Sequence, residues 1–145
     1  MVFEKSIQVF VTGGTFDKTY DHIKGTLNFQ KTHLPQMLVR SKCRLDVDVK
    51  TLMLLDSLEM TSTHFETIIK ACETFEKSKI VITHGTDCMV DTAKKIAQEA
   101  VGIEQKTIIL TGAMIPYTFG SSSDGFFNLG SAMAYVRVLD PGVYI

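Results

Sequence analysis

Cysteine is scarce in this sequence. There are three cysteines, Cys43, Cys72 and Cys88, an odd number, and they are widely spaced with no CxxC pair. A disulfide framework needs paired cysteines in an oxidising compartment, and a zinc site needs closely spaced ligands, so neither is expected. A reducing cytoplasm is the compartment that fits this cysteine usage best.

Excess charge and long apolar runs are also missing. Charged residues make up 21% of the chain and the net charge is -1, so there is no strong field to attract nucleic acid or an anionic membrane. No apolar stretch approaches the length of a membrane span, and the run at 7–11 is too short for a secretory signal. His22, His33 and His64 lie in separate segments without ligand spacing, so no metal is expected. These exclusions leave a small molecule as the expected partner.

What the chain does contain is an alternation of apolar runs and helical patterns. Runs of strand length occur at 7–11, 46–54, 79–83 and 107–111, and 143–145 resembles the start of a fifth strand. Helical patterns occur at 34–41, 63–77, 88–100 and 124–139. Parallel strands need helical crossovers, so this order predicts a three-layer, doubly wound α/β fold of the Rossmann or flavodoxin-like type with a mostly parallel sheet. Without repeats or linkers, residues 1–145 are expected to form one domain.

The ends of two helices have sequence markers. Thr63 followed by Glu66 has the spacing of a capping box at the start of the second helix. Pro141 and Gly142 follow the last helix and are expected to end it.

Four strand-to-helix loops have a common polar character. Their sequences are "TGGTFDKTY", "DSLEMTS", "THGTDCM" and "TGAMIPYTFGSSSDG". In open α/β sheets such loops meet beyond the carboxyl ends of the strands, so we expect them to converge. They contain hydroxyls and a carboxylate with few lysines or arginines, which suits an amide or amino-acid ligand better than a phosphate chain. The polar candidates are Thr12, Thr15, Tyr20, Ser57, Thr86, Asp87 and the serines at 121–123.

Three interpretations of "TGGT" compete. The loop is a plain glycine turn in which Thr12 finishes the strand and Thr15 caps the segment after it, or Thr15 is a nucleophile beside an oxyanion site. A dinucleotide fingerprint is the weakest of the three, because only two adjacent glycines occur, so no cofactor is expected.

The loop "HGTD" raises the same choice. Thr86 or Asp87 caps the following helix, or Asp87 at that helix N-terminus stays ionised and either binds an ammonium group or orients a cationic base. His84 directly follows a buried strand, which favours a hydrogen-bonded core or supporting histidine over a catalytic base.

The loop after the fourth strand contributes small residues and a cap. "SSSDG" is interpreted as a structural cap of the last helix, because its aspartate would repel phosphate. Gly112 and Ala113 leave backbone groups accessible to a ligand.

The segments "TGGTF", "HGTDCM", "LTGAMIP" and "SDGFFNLGSA" occur in the same order and with similar spacing as in the L-asparaginase family, and the resemblance covers essentially the whole chain. It implies a Rossmann-like amidohydrolase in which Thr15 forms an acyl-enzyme with the side-chain amide of asparagine. Thr86 and Asp87 match the second catalytic group, which in the family works with a lysine, and the aspartate also contacts the substrate ammonium. Ser57 matches the residue that binds the α-carboxylate, and Ala113 matches a residue of the amide pocket.

The chain also departs from the family pattern. Tyr20 is the nearest match to the catalytic tyrosine of the family's flexible loop, but its offset from Thr15 is short. Leu58 stands where a glutamine is common, and the family's lysine and C-terminal domain lie beyond the sequence given. The chain therefore resembles short asparaginase-like proteins that lack this domain. The resemblance implies a homo-oligomer.

Two further functions stay open. A binding or regulatory domain with weak or no catalysis would explain the missing lysine. A nucleotide-binding module is a third interpretation and ranks below both.

Overall fold

The computed structural model describes residues 6–145. Its strands are β1 (Ser6–Gly13), β2 (Thr19–Asp21), β3 (Thr26–Asn28), β4 (Asp46–Leu55), β5 (Lys79–Thr83), β6 (Thr107–Thr111) and β7 (Gly142–Tyr144). Its α-helices are α1 (Leu34–Arg40), α2 (Ser62–Thr74), α3 (Met89–Glu99) and α4 (Gly125–Tyr135). Short 3-10 turns cover Thr15–Asp17, Ser57–Glu59 and Tyr117–Ser122.

The main sheet has five strands in the order β4-β1-β5-β6-β7, and every pair in it is parallel. The chain moves outward from β1 to β4 on one side and then through β5, β6 and β7 on the other. This is the flavodoxin-like order, whose direction changes between β1 and β5. The predicted α/β fold is therefore confirmed, and the sheet places its topological switch point at the two glycine-threonine loops.

Each face of the sheet is covered by two helices. Alternate residues of β1 point to opposite faces, as the period of a strand requires. One face packs Ile7 and Val9 against α1 and α4, and the other packs Phe10 against α2 and α3. The core residues on the first face include Leu34, Met37, Leu129 and Met133, and those on the second include Ile68, Cys72, Ile80 and Ile96.

The edge strand β4 differs from the central strands. Its first half alternates exposed Asp46 and Asp48 with half-buried Val47 and Val49. A strand at the sheet edge has one partner and partial cover, so its residues are not continuously buried as those of β5 and β6 are. The two antiparallel strands β2 and β3 form a separate hairpin that begins within the first loop, and the apolar pattern does not predict it.

Two predicted helix ends are wrong. Helix α2 has Thr61 as its N-cap, and the capping box joins Thr61 to His64, whose Nδ1 accepts the Thr61 amide at 3.0 Å; Thr63 and Glu66 lie inside the helix. An imidazole nitrogen takes the acceptor role that the sequence pattern assigns to Glu66. Helix α4 ends at Tyr135, before Pro141, and the amides of Arg137 and Val138 just after it donate in the tighter i to i−3 pattern.

Within residues 6–145, none of the helices combines the length and apolar character needed to cross a bilayer.

Candidate active site

The first and third loops touch through their glycines. Gly13 and Gly14 have φ of 108° and 76°, and a Cβ built on Gly14 would lie 2.5 Å from the Gly85 Cα. A side chain at Gly14 would therefore collide with the Gly85 backbone, so the close approach of the two loops requires glycine at this position. The Gly14 amide also donates to the Leu55 carbonyl at 2.8 Å, which holds the first loop to the end of β4.

The second loop joins the same contact through Ser57. This serine is 3% exposed, and a Cβ on Gly85 would lie 2.8 Å from its Oγ. The Cys88 amide donates to Ser57 Oγ at 3.2 Å, which links the serine to the start of α3. The contacts of Gly14, Gly85 and Ser57, called here the switch-point junction, therefore bring three of the four loops together.

The fourth loop packs on His84. A Cβ on Gly112 would lie 2.3 Å from the His84 carbonyl oxygen, and the His84 amide donates to the Thr111 carbonyl at 2.8 Å. Asn128 of α4 donates to the Gly112 carbonyl at 2.9 Å, and Ala113 beside it is buried. The predicted convergence of the loops is therefore seen in the backbone contacts.

Thr15 lies at the start of the 3-10 turn that follows Gly14. It is half-buried, and within residues 6–145 its hydroxyl makes no hydrogen bond. The N-cap of this turn is Gly14, so the interpretation of Thr15 as a cap is wrong. Thr12 instead donates to the Thr83 carbonyl at 2.6 Å in the core, as expected of a residue that finishes the strand.

Thr86 and Asp87 are both exposed on the bend before α3. The N-cap of α3 is Cys88, so the interpretation of Thr86 or Asp87 as the cap is wrong. The Thr86 hydroxyl contacts the Met114 sulfur at 3.8 Å, and in the described chain Asp87 makes no hydrogen bond or ion pair. Both side chains are exposed and accessible to a ligand from solvent.

Tyr20 stands apart from these residues. It lies on β2 opposite Leu27 and is 51% exposed. Its hydroxyl makes no hydrogen bond within the described part of the chain, so this arrangement does not join it to Thr15. Leu58, next to Ser57, is 73% exposed and adds no polar contact.

His84 is a fully bonded core residue, as expected. Its ring is buried, Nδ1 lies 2.7 Å from the Gly85 carbonyl oxygen, and Nε2 lies 2.8 Å from Thr92 Oγ1. A carbonyl only accepts, so Nδ1 carries the proton and Nε2 of the neutral ring accepts from Thr92. Burial lowers the pKa of His84, partly offset by the hydrogen bond to Gly85, which favours this neutral form.

Asp124 fixes the loop after β6. Its carboxylate accepts hydrogen bonds from the amides of Met114 and Ile115 and from the Asn128 side chain, at 3.0–3.1 Å. Burial acts to raise the pKa of Asp124, but these hydrogen bonds outweigh it and the pKa is lowered. The structural interpretation of "SSSDG" fits these contacts, with Ser123 Oγ accepting from the Gly125 amide.

Two charged residues of the first loop have roles that the sequence pattern did not reveal. Lys18 forms an ion pair with Asp56, with 2.7 Å between Nζ and Oδ1. Asp17 is fully buried and accepts the His33 amide at 2.8 Å, which ties the turn to the start of α1. Burial raises the pKa of Asp17, partly offset by that hydrogen bond. The one available clue was that Lys18 is the single Lys or Arg in the four loops.

A cavity of about 570 Å³ opens beside β6, between α4 and β7. Thr86, Ala113 and Met114 line its end nearest the loops, whereas Thr15 and Ser57 lie outside it. Across residues 6–145, no group of three or more His, Cys, Asp or Glu side chains is placed to hold a metal ion. The four loops present hydroxyls, backbone groups and carboxylates at this edge of the sheet.

The chain is similar to known L-asparaginases. A family model described as "Asparaginase, N-terminal" matches residues 6–145. An L-asparaginase of Thermococcus kodakarensis is 30% identical over 109 residues, which cover 74% of this chain and 33% of that protein. The solved structure of a thermostable L-asparaginase from the same organism superposes with a TM-score of 0.79 at 29% identity, over 95% of this chain and 43% of that one.

Two further structures have similar folds. A probable cytoplasmic L-asparaginase of Campylobacter jejuni gives a TM-score of 0.79 at 27% identity, and covers 94% of this chain and 44% of that one. L-asparaginase I of Vibrio cholerae gives a TM-score of 0.81 at 23% identity, and covers 98% of this chain and 44% of that one. At that identity the similarity supports the fold alone. The chain thus spans a third of the curated relative and less than half of each solved chain. On the family match and the shared fold, this chain belongs to the asparaginase family, and residues 6–145 correspond to its N-terminal part.

Proposed function

We propose that the chain is an asparaginase-like amidohydrolase that hydrolyses the side-chain amide of L-asparagine or of a related small amide. The observation that carries this proposal is the contact of Gly14 with Gly85, which brings the Thr15 turn and the Thr86–Asp87 bend to one edge of the sheet. That edge is the topological switch point, where open α/β sheets bind their ligands. Similarity to proteins named L-asparaginase supports the same chemistry.

The polar groups of the site suit a zwitterionic amino acid. Ser57 Oγ accepts the Cys88 amide, so its own proton is available to donate to the substrate α-carboxylate. Asp87 offers an exposed carboxylate to the α-ammonium. Ala113, small and buried in the loop just after β6, lines the pocket for the side-chain amide.

The proposed reaction passes through an ester on Thr15. Its Oγ attacks the amide carbon, the C–O bond forms, the C–N bond breaks, and the hydroxyl proton leaves on ammonia. Water then hydrolyses the ester, giving aspartate and restoring the hydroxyl. Proton transfer by a positioned base contributes about 10²- to 10⁴-fold in rate, and we assign Thr86, Asp87 and Tyr20 to assist it. Tyr20 has to move toward Thr15 to take part.

Ammonia release from L-asparagine by the purified protein tests this proposal. We expect Thr15→Ala to abolish the release without changing the melting temperature, because the Thr15 hydroxyl makes no hydrogen bond within residues 6–145. Thr67→Ala is the matched control, since Thr67 lies on the exposed face of α2. Unchanged turnover in Thr15→Ala would rule out the nucleophile.

A second candidate function is an amino-acid-binding or regulatory domain without efficient catalysis. It is favoured by the Thr15 hydroxyl, which has no base in hydrogen-bond contact within the described residues. Calorimetry would then detect binding of L-aspartate or L-asparagine while ammonia release stays at background. Robust turnover would remove this candidate.

We also propose that the protein forms a homo-oligomer. Met114, Phe127 and Tyr135 are large apolar side chains around the open cavity and are 72%, 78% and 58% exposed. Clustered exposed apolar groups favour association. Light scattering coupled to size exclusion should give a mass above 16.1 kDa, and a monomer at all concentrations would refute this.

A further inference from the structure

We propose that Lys18 is a positioning residue: its ion pair with Asp56 holds the Thr15 turn against the loop that carries Ser57. This inference rests on the proposed function, because Lys18 is taken to set the distance between Thr15, the proposed nucleophile, and Ser57, the proposed carboxylate-binding serine.

The ion pair lies next to both residues along the chain. Lys18 is the C-cap of the 3-10 turn that starts at Thr15, and its amide donates to the Thr15 carbonyl at 3.2 Å. Asp56 directly precedes Ser57 and is the N-cap of the second 3-10 turn. The 2.7 Å contact between Lys18 Nζ and Asp56 Oδ1 therefore joins the two short turns on which Thr15 and Ser57 are mounted.

The lysine is held in place by other contacts. Its side chain is 16% exposed, its Nζ lies 5.6 Å from the centre of the Phe29 ring, and its carbonyl accepts the Thr118 hydroxyl at 3.2 Å. An exposed ion pair contributes little, because two long side chains lose entropy when they meet in water. Here the lysine is already packed, so less freedom is lost and the pair holds its geometry better than a free surface pair.

Contacts before and after Thr15 hold the turn to the β4 end of the sheet. Before it, the Gly14 amide bonds to the Leu55 carbonyl at 2.8 Å. After it, the Lys18–Asp56 pair makes the second connection. Asp17 ties the turn to α1 rather than to the Ser57 loop. Loss of Lys18 therefore leaves the fold in place but frees one end of the turn relative to Ser57.

Neutralisation of Asp56 is the second effect of the pair. The four loops contain one cation, Lys18, and the acidic residues Asp17, Asp56, Glu59, Asp87 and Asp124. Without that cation, the Asp56 carboxylate would stand unpaired beside the serine that receives the substrate carboxylate, and would repel it. The positioning effect and the charge effect of the pair can be separated by substitution. In the Lys18→Met variant, Asp56→Asn removes the unpaired negative charge without restoring the connection between the two turns.

Steady-state kinetics on four variants test the proposal. Lys18→Met is expected to lower kcat about tenfold, because small misplacements of reacting groups are costly, and to raise KM. Lys18→Arg keeps the ion pair and should restore much of kcat. In Lys18→Met/Asp56→Asn, KM should return toward the wild-type value while kcat stays low. Lys24→Met, on the exposed hairpin turn, is the matched control and should match the wild type.

Hydrogen exchange measured by mass spectrometry without substrate gives an independent result. Amides at 13–18 should exchange faster in Lys18→Met than in the wild type or Lys24→Met, with equal melting temperatures. Unchanged exchange at 13–18, or an unchanged kcat in Lys18→Met, overturns the proposal. If the wild type releases no ammonia, the proposed function fails, and the exchange data alone still decide whether Lys18 holds the turn.

Discussion

The two sides of the loop cluster are built differently. At the switch-point junction, backbones meet at Gly14 and Gly85 with no room for a side chain, and Ser57 is buried against them. On the other side, Thr86 and Met114 are exposed at an open cavity, and Asp87 is exposed next to Thr86 along the chain. The contrast teaches that the fold fixes the spacing of Thr15 and Ser57 closely, whereas it leaves the Thr86 side able to adapt to what binds there.

The largest expected effect comes from breaking the junction itself. Gly14→Ala adds a Cβ 2.5 Å from the Gly85 Cα at a residue with φ of 76°. Overpacking and left-handed strain together should lower the free energy of unfolding by about 2 to 5 kcal/mol. Urea denaturation measures this loss.

Gly130→Ala is the control for this substitution. Gly130 lies in α4 with nothing within 4 Å of a built Cβ, so alanine should be neutral or stabilise by about 0.5–1 kcal/mol. Equal stability of Gly14→Ala and the wild type would mean that the junction is not tight.

A smaller effect is expected behind the junction, at the hydrogen bond that Thr92 donates to the buried His84 ring. Thr92→Val removes the donor to buried Nε2 with little change in volume and should cost about 1–3 kcal/mol in the free energy of unfolding. Thr67→Val makes the same chemical change on the exposed face of α2 and should cost less. Equal losses in the two variants would contradict the role of the His84 hydrogen bond. Chemical denaturation of both variants gives the comparison.

The smallest expected effect is a pH dependence of the stability. It has opposite signs for Asp17, in the first loop, and Asp124, in the loop after β6. The folded pKa of Asp17 is raised above its ordinary 3.8, so the folded state binds more protons. Its contribution to stability is present below pH 3.8 and is lost as the pH rises through the folded pKa. The free energy of unfolding of Asp17→Asn, relative to that of the wild type, should therefore increase as the pH rises above 4.

Asp124 should show the reverse behaviour. Its folded pKa is lowered below 3.8, so its contribution is present above that pH and is lost as the pH falls through the folded pKa. Asp124→Asn should thus be less stable than the wild type near neutral pH, and the difference should shrink in acid. Parallel pH profiles for the two variants would show that the two carboxyl groups do not differ as described.

The order of the layers could be predicted from the sequence because apolar runs at β1, β5 and β6 are short, continuous and separated by helical patterns. The convergence of the "TGGT" and "HGTD" loops follows from the same argument, since parallel strands end at one edge. The start of α2 was misplaced because Thr61, Ser62 and Thr63 are all suitable caps, and only backbone geometry selects Thr61.

The parts of the site that sequence did not predict depend on side-chain reach. Lys18 and Asp56 are far apart along the chain, and their pairing requires the register of β1 with β4, including the irregularity between Val11 and Gly13. The position of Tyr20 depends on the β2–β3 hairpin, which turns where Gly25 has φ of 65°. A tight turn among polar residues has no apolar periodicity, so the apolar pattern that predicted the main sheet could not predict the β2–β3 hairpin.

The contact between Gly14 and Gly85 also limits redesign. Neither partner has a side chain to shorten, so every substitution at these two positions narrows the gap and none widens it. Room for a larger substrate cannot be made here by replacing a large side chain with a smaller one. Enlarging this site would require inserting residues into a loop or substituting residues on the Met114 side, where the side chains are exposed.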